Sequence, residues 1–316
     1  MLTSFLFILA GLVLLFAGGE SLVRGSAALA LRLGMTPLLV GLTVVAFGTS
    51  APELVVSVKA ALIGQGNIAV GNVVGSNIVN IGFILGLTAM ICPLKVQLQV
   101  LKIDAPIMVL VSALLFLVLH DLKVTSVEGG FLACGLVAYV AFNVWFAKHT
   151  KVSAEVEAEY EEGVVKPLRS VWFDLAFIIG GLVLLVFGSR FLVLGAVDIA
   201  ISFGVSEAVI GLTIVSIGTS LPELTACLVA AFRKEPDIAL GNIIGSNIFN
   251  IFGILGIAAM AEPMVSPGIS FFDIGVMFAF AAALVPFLWS GMILKRWEGI
   301  VFFSGYAGYI TCIWPK

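Results

Sequence analysis

Charge is what this chain has least of. It holds 16 Lys and Arg and 19 Asp and Glu in 316 residues, or 11%, where a soluble domain carries about 25%. Histidine is almost missing: His120 and His149 are the only two. The four cysteines, Cys92, Cys134, Cys227 and Cys312, lie far apart and follow no metal or redox spacing. They read as small apolar packing residues. Long polar stretches are also scarce. What fills the chain is apolar: 61% hydrophobic residues, with 34 glycines besides. So few charges cannot cover a water-facing surface of this size, so the solvent is lipid. Soluble enzymes, nucleic-acid binders and disordered proteins are excluded at this step. The net charge of −3 says little, because placement of charge matters more than its sum in a membrane.

A helix needs roughly 17–25 apolar residues to cross a bilayer. Ten segments are candidates: approximately 4–30, 37–62, 68–91, 103–119, 126–147, 171–199, 206–231, 238–260, 271–290 and 297–314. The longest polar stretch, 148–169, carries Glu155, Glu157, Glu159, Glu161 and Glu162. It reads as a solvated linker, too short for a folded regulatory domain. The first segment has no basic residue before Phe5 and is long, which does not fit a cleaved signal peptide. With ten spans both termini share one side. One set of connections then holds eleven Lys and Arg (Arg32, Lys95, Lys102, Lys148, Lys151, Lys166, Arg169, Arg233, Lys234, Lys295, Arg296). The other holds two, Lys123 and Lys316. Basic residues favour the cytoplasm, so the termini are expected outside and the 148–169 connection inside.

The chain repeats itself at an offset of 170. Residues 41–90 and 211–260 share 27 identities in 50 positions without a gap. Gly11 to Leu15 likewise matches Gly181 to Leu185. The expected organisation is a first five-helix repeat over 1–147, a cytoplasmic linker over 148–169 and a second repeat over 170–316. Five is odd, so the second repeat must be inverted. The fold class is therefore an all-α polytopic membrane protein of ten transmembrane helices in two inverted repeats. That architecture belongs to secondary transporters, whose substrate site lies near the midplane where the halves meet.

The best-matched stretches are also the most polar. Glu53 and Glu223 sit deep in the second and seventh segments, in Gly48-Thr49-Ser50-Ala51-Pro52-Glu53 and Gly218-Thr219-Ser220-Leu221-Pro222-Glu223. Intramembrane carboxylates are costly and usually functional. Each proline lacks an N–H and clashes with the carbonyl four residues back. Carbonyls near Gly48 and Thr49, and near Gly218 and Thr219, are therefore expected to be free. The third and eighth segments add Gly71-Asn72-Val73-Val74-Gly75-Ser76-Asn77-Ile78-Val79-Asn80 and Gly241-Asn242-Ile243-Ile244-Gly245-Ser246-Asn247-Ile248-Phe249-Asn250. Ser76 shares a helix face with Asn80, and Ser246 with Asn250. Asn72 and Asn242 fall on the same stripe. Asn77 and Asn247 point elsewhere and read as helix–helix hydrogen bonds. Carboxylate, carbonyl, hydroxyl and amide oxygens suit hard cations, and Ca²⁺ takes six to eight of them. No His or Cys is at hand for a softer metal, and no Lys or Arg for an anion. The other reading of Glu53 and Glu223 is a pair of polar anchors holding the halves together.

These paired motifs closely resemble the two alpha-repeats of the sodium/calcium exchanger family, and the likeness covers essentially the whole chain. It implies a compact prokaryotic member in the inner membrane. By resemblance, Glu53 and Glu223 are shared Ca²⁺ and Na⁺ ligands. Thr49 and Thr219 offer carbonyls and hydroxyls to Ca²⁺. Ser50, Ser220, Ser76 and Ser246, with the carbonyls of Ala46 and Ser216, line flanking Na⁺ sites. Asn80 and Asn250 close the central site. The family exchanges several Na⁺ inward for one Ca²⁺ outward by sliding the first and sixth spans across the rest. No cofactor, catalytic residue or obligatory protein partner is implied: the partners are the transported ions and the bilayer. Two departures stand out. Residue 216 is Ser where the first repeat has Ala46, and residue 250 is Asn where some relatives carry the Asp of the potassium-dependent branch.

The nearest alternative is a Ca²⁺/H⁺ antiporter of the same superfamily, since a buried carboxylate can carry a proton in place of Na⁺. A channel would need no inverted repeat. An intramembrane enzyme would need a nucleophile–base pair, and no His or Lys adjoins the Ser/Thr cluster. Finally, Arg190 aligns with Glu20 in the repeat, which predicts either a Glu20–Arg190 pair across the pseudo-two-fold or two side chains reaching separate interfaces.

Overall fold

The computed structural model describes residues 2–149, 170–203 and 216–313. The 148–169 linker thus lies almost wholly outside the described residues, as does the start of the seventh expected span. Nearly all of the rest is helical. The first half comprises α1 (Leu2–Leu33), the bent pair α2 (Pro37–Thr49) and α3 (Ala51–Leu62), α4 (Gly66–Ile91), α5 (Val100–Val118) and α6 (Ser126–His149). The second comprises α7 (Val171–Ser202), the short α8 (Ser216–Thr219) and α9 (Leu221–Phe232), α10 (Pro236–Ala261), α11 (Phe271–Trp289) and α12 (Arg296–Ile313). Seven of these helices are long and apolar enough to cross a membrane, and α2 with α3 makes an eighth if the bent pair counts as one span. The expected span at 206–231 is represented by α8 and α9, and that at 297–314 by α12.

Lipid solvation is visible on α1. Leu2, Phe5, Leu6, Leu9, Leu12, Val13 and Phe16 are exposed, an apolar stripe at helical spacing turned outward. The opposite face, with Gly11, Leu15, Gly18 and Leu22, is buried. At the centre the pattern disappears. Every residue of α10 from Ile238 to Phe249 is buried, so this helix is packed on all sides by protein.

Four two-residue strands settle how the halves are related. They are β1 (Leu94–Lys95), β2 (Lys123–Val124), β3 (Met264–Val265) and β4 (Ile293–Leu294). By the offset of 170, β3 is the counterpart of β1 and β4 of β2. Yet β1 pairs with β4 and β2 with β3, both antiparallel. Helix α5 runs from β1 to β2, and α11 from β3 to β4. The crossed pairing therefore makes α5 and α11 run in opposite directions, as inverted halves require.

The most extensive helix contact joins α1 to α7. Gly11, Gly18 and Gly25 recur every seven residues on α1, and Gly181, Gly188 and Gly195 do so on α7. Seven residues are two turns, so each trio forms one smooth stripe. A Cβ on Gly181 would come 2.6 Å from Leu22 N and 2.8 Å from Gly18 O. A Cβ on Gly11 would come 2.8 Å from Gly188 O. Only glycine lets two backbones approach so closely. Its neighbour Gly180 has nothing within 4 Å of such a Cβ. The two positions should therefore respond with opposite sign. Gly180→Ala gains helix propensity of about 0.5–1 kcal/mol. Gly181→Ala gains the same but meets backbone, and overpacking of roughly 1–3 kcal/mol outweighs it. Thermal unfolding of the two detergent-purified variants should show the first at or above the parent and the second below it.

Candidate cation site between the repeats

The helix breaks fall where the prolines predict. Between α2 and α3 the chain bends by 46°, at Ser50, with φ −85° and ψ 5°. Ser220, between α8 and α9, has φ −92° and ψ 9°. Pro52 and Pro222 stand in the first turns of α3 and α9, where a missing N–H costs nothing. Glu53 and Glu223 follow in the same turns, where the helix dipole favours an anion. Ser50-Ala51-Pro52-Glu53 has the form of a capping box, but Ser50 makes no side-chain cap of its own helix. Its hydroxyl crosses to the other half, donating to Glu223 Oε1 at 2.8 Å. Ser220 Oγ reaches Glu53 Oε1 at 3.5 Å in the same crossed sense. Each carboxylate is steadied by the serine of the opposite repeat.

Around this pair the polar contacts continue across the boundary. Ser50 Oγ lies 3.0 Å from Ser246 Oγ, and Thr49 Oγ1 donates to Asn242 Oδ1 at 3.1 Å. Asn80 and Asn250 sit in π-helical turns, Val79–Leu85 and Asn250–Leu255, a distortion concentrated at functional sites. Asn80 Nδ2 donates to Asn247 Oδ1 at 3.1 Å, and Asn250 Nδ2 to Asn77 Oδ1 at 2.9 Å. Four buried oxygens of this cluster are left with no hydrogen-bond partner among the described residues: Glu53 Oε2, Glu223 Oε2, Asn80 Oδ1 and Asn250 Oδ1. They are two pairs related by the offset of 170. An unsatisfied buried acceptor costs about 1–3 kcal/mol, more when charged. Four such oxygens, two of them on carboxylates, have the chemistry that a hard cation takes.

Other expected site residues are placed less simply. Ser76 is buried on α4, and Thr219 ends α8 as Thr49 ends α2. The carbonyl of Ala46 already accepts from Ser50 N at 3.1 Å and Thr49 Oγ1 at 3.4 Å. The Ser216 side chain lies outside what is described. Asn72 and Asn242 share a stripe in sequence but not a role. Asn72 Nδ2 turns to Ser57 Oγ at 2.9 Å and to the Glu53 carbonyl at 3.2 Å. Asn242 faces Thr49 and Cys227 Sγ. Sequence reasoning misses Ser57 and Cys227 as members of this cluster. Their signal is the repeat itself, since they occupy equivalent positions at the offset of 170.

Comparison with known proteins agrees with this geometry. The family model for sodium/calcium exchanger proteins matches residues 3–145 and 173–314. The chain belongs to the sodium/calcium exchanger family. It is 32% identical over 351 aligned positions to the sodium/calcium exchanger MaX1 of Methanosarcina acetivorans, covering 98% of both chains. It is 40% identical over 313 residues to CaxA of Alkalimonas amylolytica, a protein named as a putative antiporter, again covering 98% of both. A solved structure of the sodium-calcium exchanger NCX_Mj matches with a TM-score of 0.85 and 30% identity, covering 99% of both chains. Like these relatives, this exchanger-family chain is a helical, multi-pass membrane protein.

Of the two arrangements open to Glu20, pairing with Arg190 is not the one formed. Glu20 on α1 does not pair with Arg190. Its carboxylate receives a bidentate contact from Arg233, just past the end of α9, with Arg233 Nε to Glu20 Oε2 at 2.8 Å. Arg24 stands one turn on, at 3.9 Å. Repeat symmetry points to Arg190, but α1 packs against α9 as well as α7, and Arg233 is the cation at that seam. A second pair, Arg32 with the buried Asp174, joins α1 to α7. Arg233→Glu should lower the melting temperature slightly, for about 1 kcal/mol or less at so exposed a pair. The double reversal Glu20→Arg with Arg233→Glu should restore it, while Arg190→Glu should leave it unchanged.

Proposed function

We propose that the chain is a secondary active antiporter that exchanges Na⁺ inward for Ca²⁺ outward. The observation that carries this reading is the set of four unpartnered buried oxygens on Glu53, Glu223, Asn80 and Asn250. Their chemistry suits Ca²⁺, and two carboxylates balance its charge. The serine hydroxyls of Ser50, Ser220, Ser76 and Ser246 flank them and suit the smaller charge of Na⁺, with Thr49 and Thr219 beside the carboxylates. Transport follows from the inverted halves. The pair α1 and α7, welded by its glycine stripes, slides across the remaining helices and exposes the site to each side in turn. The distribution of Lys and Arg supports termini outside and a cytoplasmic linker in a prokaryotic inner membrane.

One feature favours a second reading, Ca²⁺/H⁺ exchange. The carboxylates take their side-chain hydrogen bonds from neutral hydroxyls, those of Ser50 and Ser220, so protons could replace Na⁺ on the return step. The test is radiolabelled Ca²⁺ uptake into proteoliposomes loaded with Na⁺ and diluted into Na⁺-free buffer, with a pH gradient in parallel. Uptake should follow the outward Na⁺ gradient, and Glu53→Gln and Glu223→Gln should each reduce it to the level of protein-free liposomes. Uptake driven by the pH gradient alone would establish the second reading instead.

A further inference from the structure

The orientation of an asparagine ligand is a chemical choice. Its carbonyl oxygen attracts a cation, whereas its amide nitrogen repels one, and the two ends are nearly equal in shape. Something must hold Asn80 and Asn250 with the oxygen inward. We propose that Asn77 and Asn247 are crossed positioning residues that fix this orientation, each for the ligand asparagine of the opposite repeat. The inference rests on the cation site proposed above.

The chain of contacts has a built-in direction. A thioether sulfur can only accept a hydrogen bond. Asn247 Nδ2 faces Met108 Sδ at 3.4 Å, and Asn77 Nδ2 faces Met277 Sδ at 3.7 Å. Asn77 Nδ2 also donates to the Asn247 backbone carbonyl at 3.3 Å. Asn77 thus commits both of its N–H groups to acceptors and Asn247 commits one, and both turn Oδ1 to their other neighbours. Those neighbours must then donate. Asn250 gives Nδ2 to Asn77 at 2.9 Å, and Asn80 gives Nδ2 to Asn247 at 3.1 Å. Of these four side-chain amides, the atoms left without a partner among the described residues are Asn80 Oδ1 and Asn250 Oδ1. All four asparagines are buried, so water does not compete to reverse the sequence. The methionine sulfurs thus set the sense, and the asparagines transmit it to the site.

A double-mutant cycle separates orientation from mere packing. Asp has two equivalent oxygens and needs no orienting partner. Asn77→Ala should weaken Ca²⁺ binding by about tenfold, the worth of roughly one committed buried hydrogen bond. In an Asn250→Asp background the same change should cost twofold or less. In an Asn80→Asp background it should keep its full tenfold effect, because Asn80 answers to Asn247. The mirror cycle, Asn247→Ala with Asn80→Asp, should show the converse. Affinity is read by isothermal titration of Ca²⁺ into detergent-purified protein that remains monodisperse on gel filtration. Met277→Leu, which keeps the volume but removes the acceptor, gives a variant less exposed to misfolding and should weaken binding in the same direction. An Asn77→Ala effect equal in all three backgrounds, or no effect of either Asn77→Ala or Met277→Leu, would overturn the proposal while leaving the cation site intact. A parent protein that binds no Ca²⁺ would instead overturn the site reading and this inference with it.

Discussion

Two carboxylates buried at the centre of a lipid-solvated helix bundle are the constraint to which the rest of the structure answers. Charge in such a place is tolerated only where protein supplies the solvation that lipid cannot. Here the supply comes from helix N-termini and serine hydroxyls, with no basic side chain among the described residues hydrogen-bonded to either glutamate. A permanent Lys or Arg partner would neutralise the site and leave it nothing to transport. The helix breaks at Ser50 and Ser220 and the π turns at Asn80 and Asn250 follow from the same need. Regular helix would turn these oxygens into backbone partners or away from the centre.

The contacts that build the site run mainly between the halves. Ser50 serves Glu223, Ser220 serves Glu53, Thr49 meets Asn242, and each of Asn77 and Asn247 meets the terminal asparagine of the other copy. Neither repeat holds a complete site. Duplication with inversion thus did more than double a scaffold: it gave each of these side chains a polar partner in the other copy. The copies are not identical in use, however. Where the first repeat has Ser57 the second has Cys227, a weak acceptor, and the asparagine alongside each turns differently.

Much of this is legible in the amino-acid sequence. The offset of 170, the paired Pro-Glu motifs and the asparagine stripes locate the cluster, because burying such residues twice at matching places is costly unless they serve one another or a ligand. Asn77 and Asn247 point away from the stripe of Ser76 and Asn80, which suits bridging residues, and they do bridge. Helical periodicity fixes the face of Asn72 and Asn242 but not the rotamer, which depends on a neighbour 15 residues away in the chain. The Glu20 pairing fails for a related reason. Alignment symmetry says which residues correspond, not which elements touch, and α1 finds Arg233 beyond α9 before it finds Arg190. The seven-residue glycine stripes are plain in the sequence, but glycine between apolar runs reads as punctuation. Only the facing helix reveals that here it forms a packing surface.

The crossed strand pairs carry a mechanical consequence. β1 with β4 and β2 with β3 tie the first half to the second at opposite ends of α5 and α11. A frame riveted at both rims cannot gape like a hinged shell, because opening either rim would shear a rivet. The sliding proposed above concerns members outside that frame. Those are α1 and α7, which carry no strand and meet each other along backbone instead of interlocking side chains.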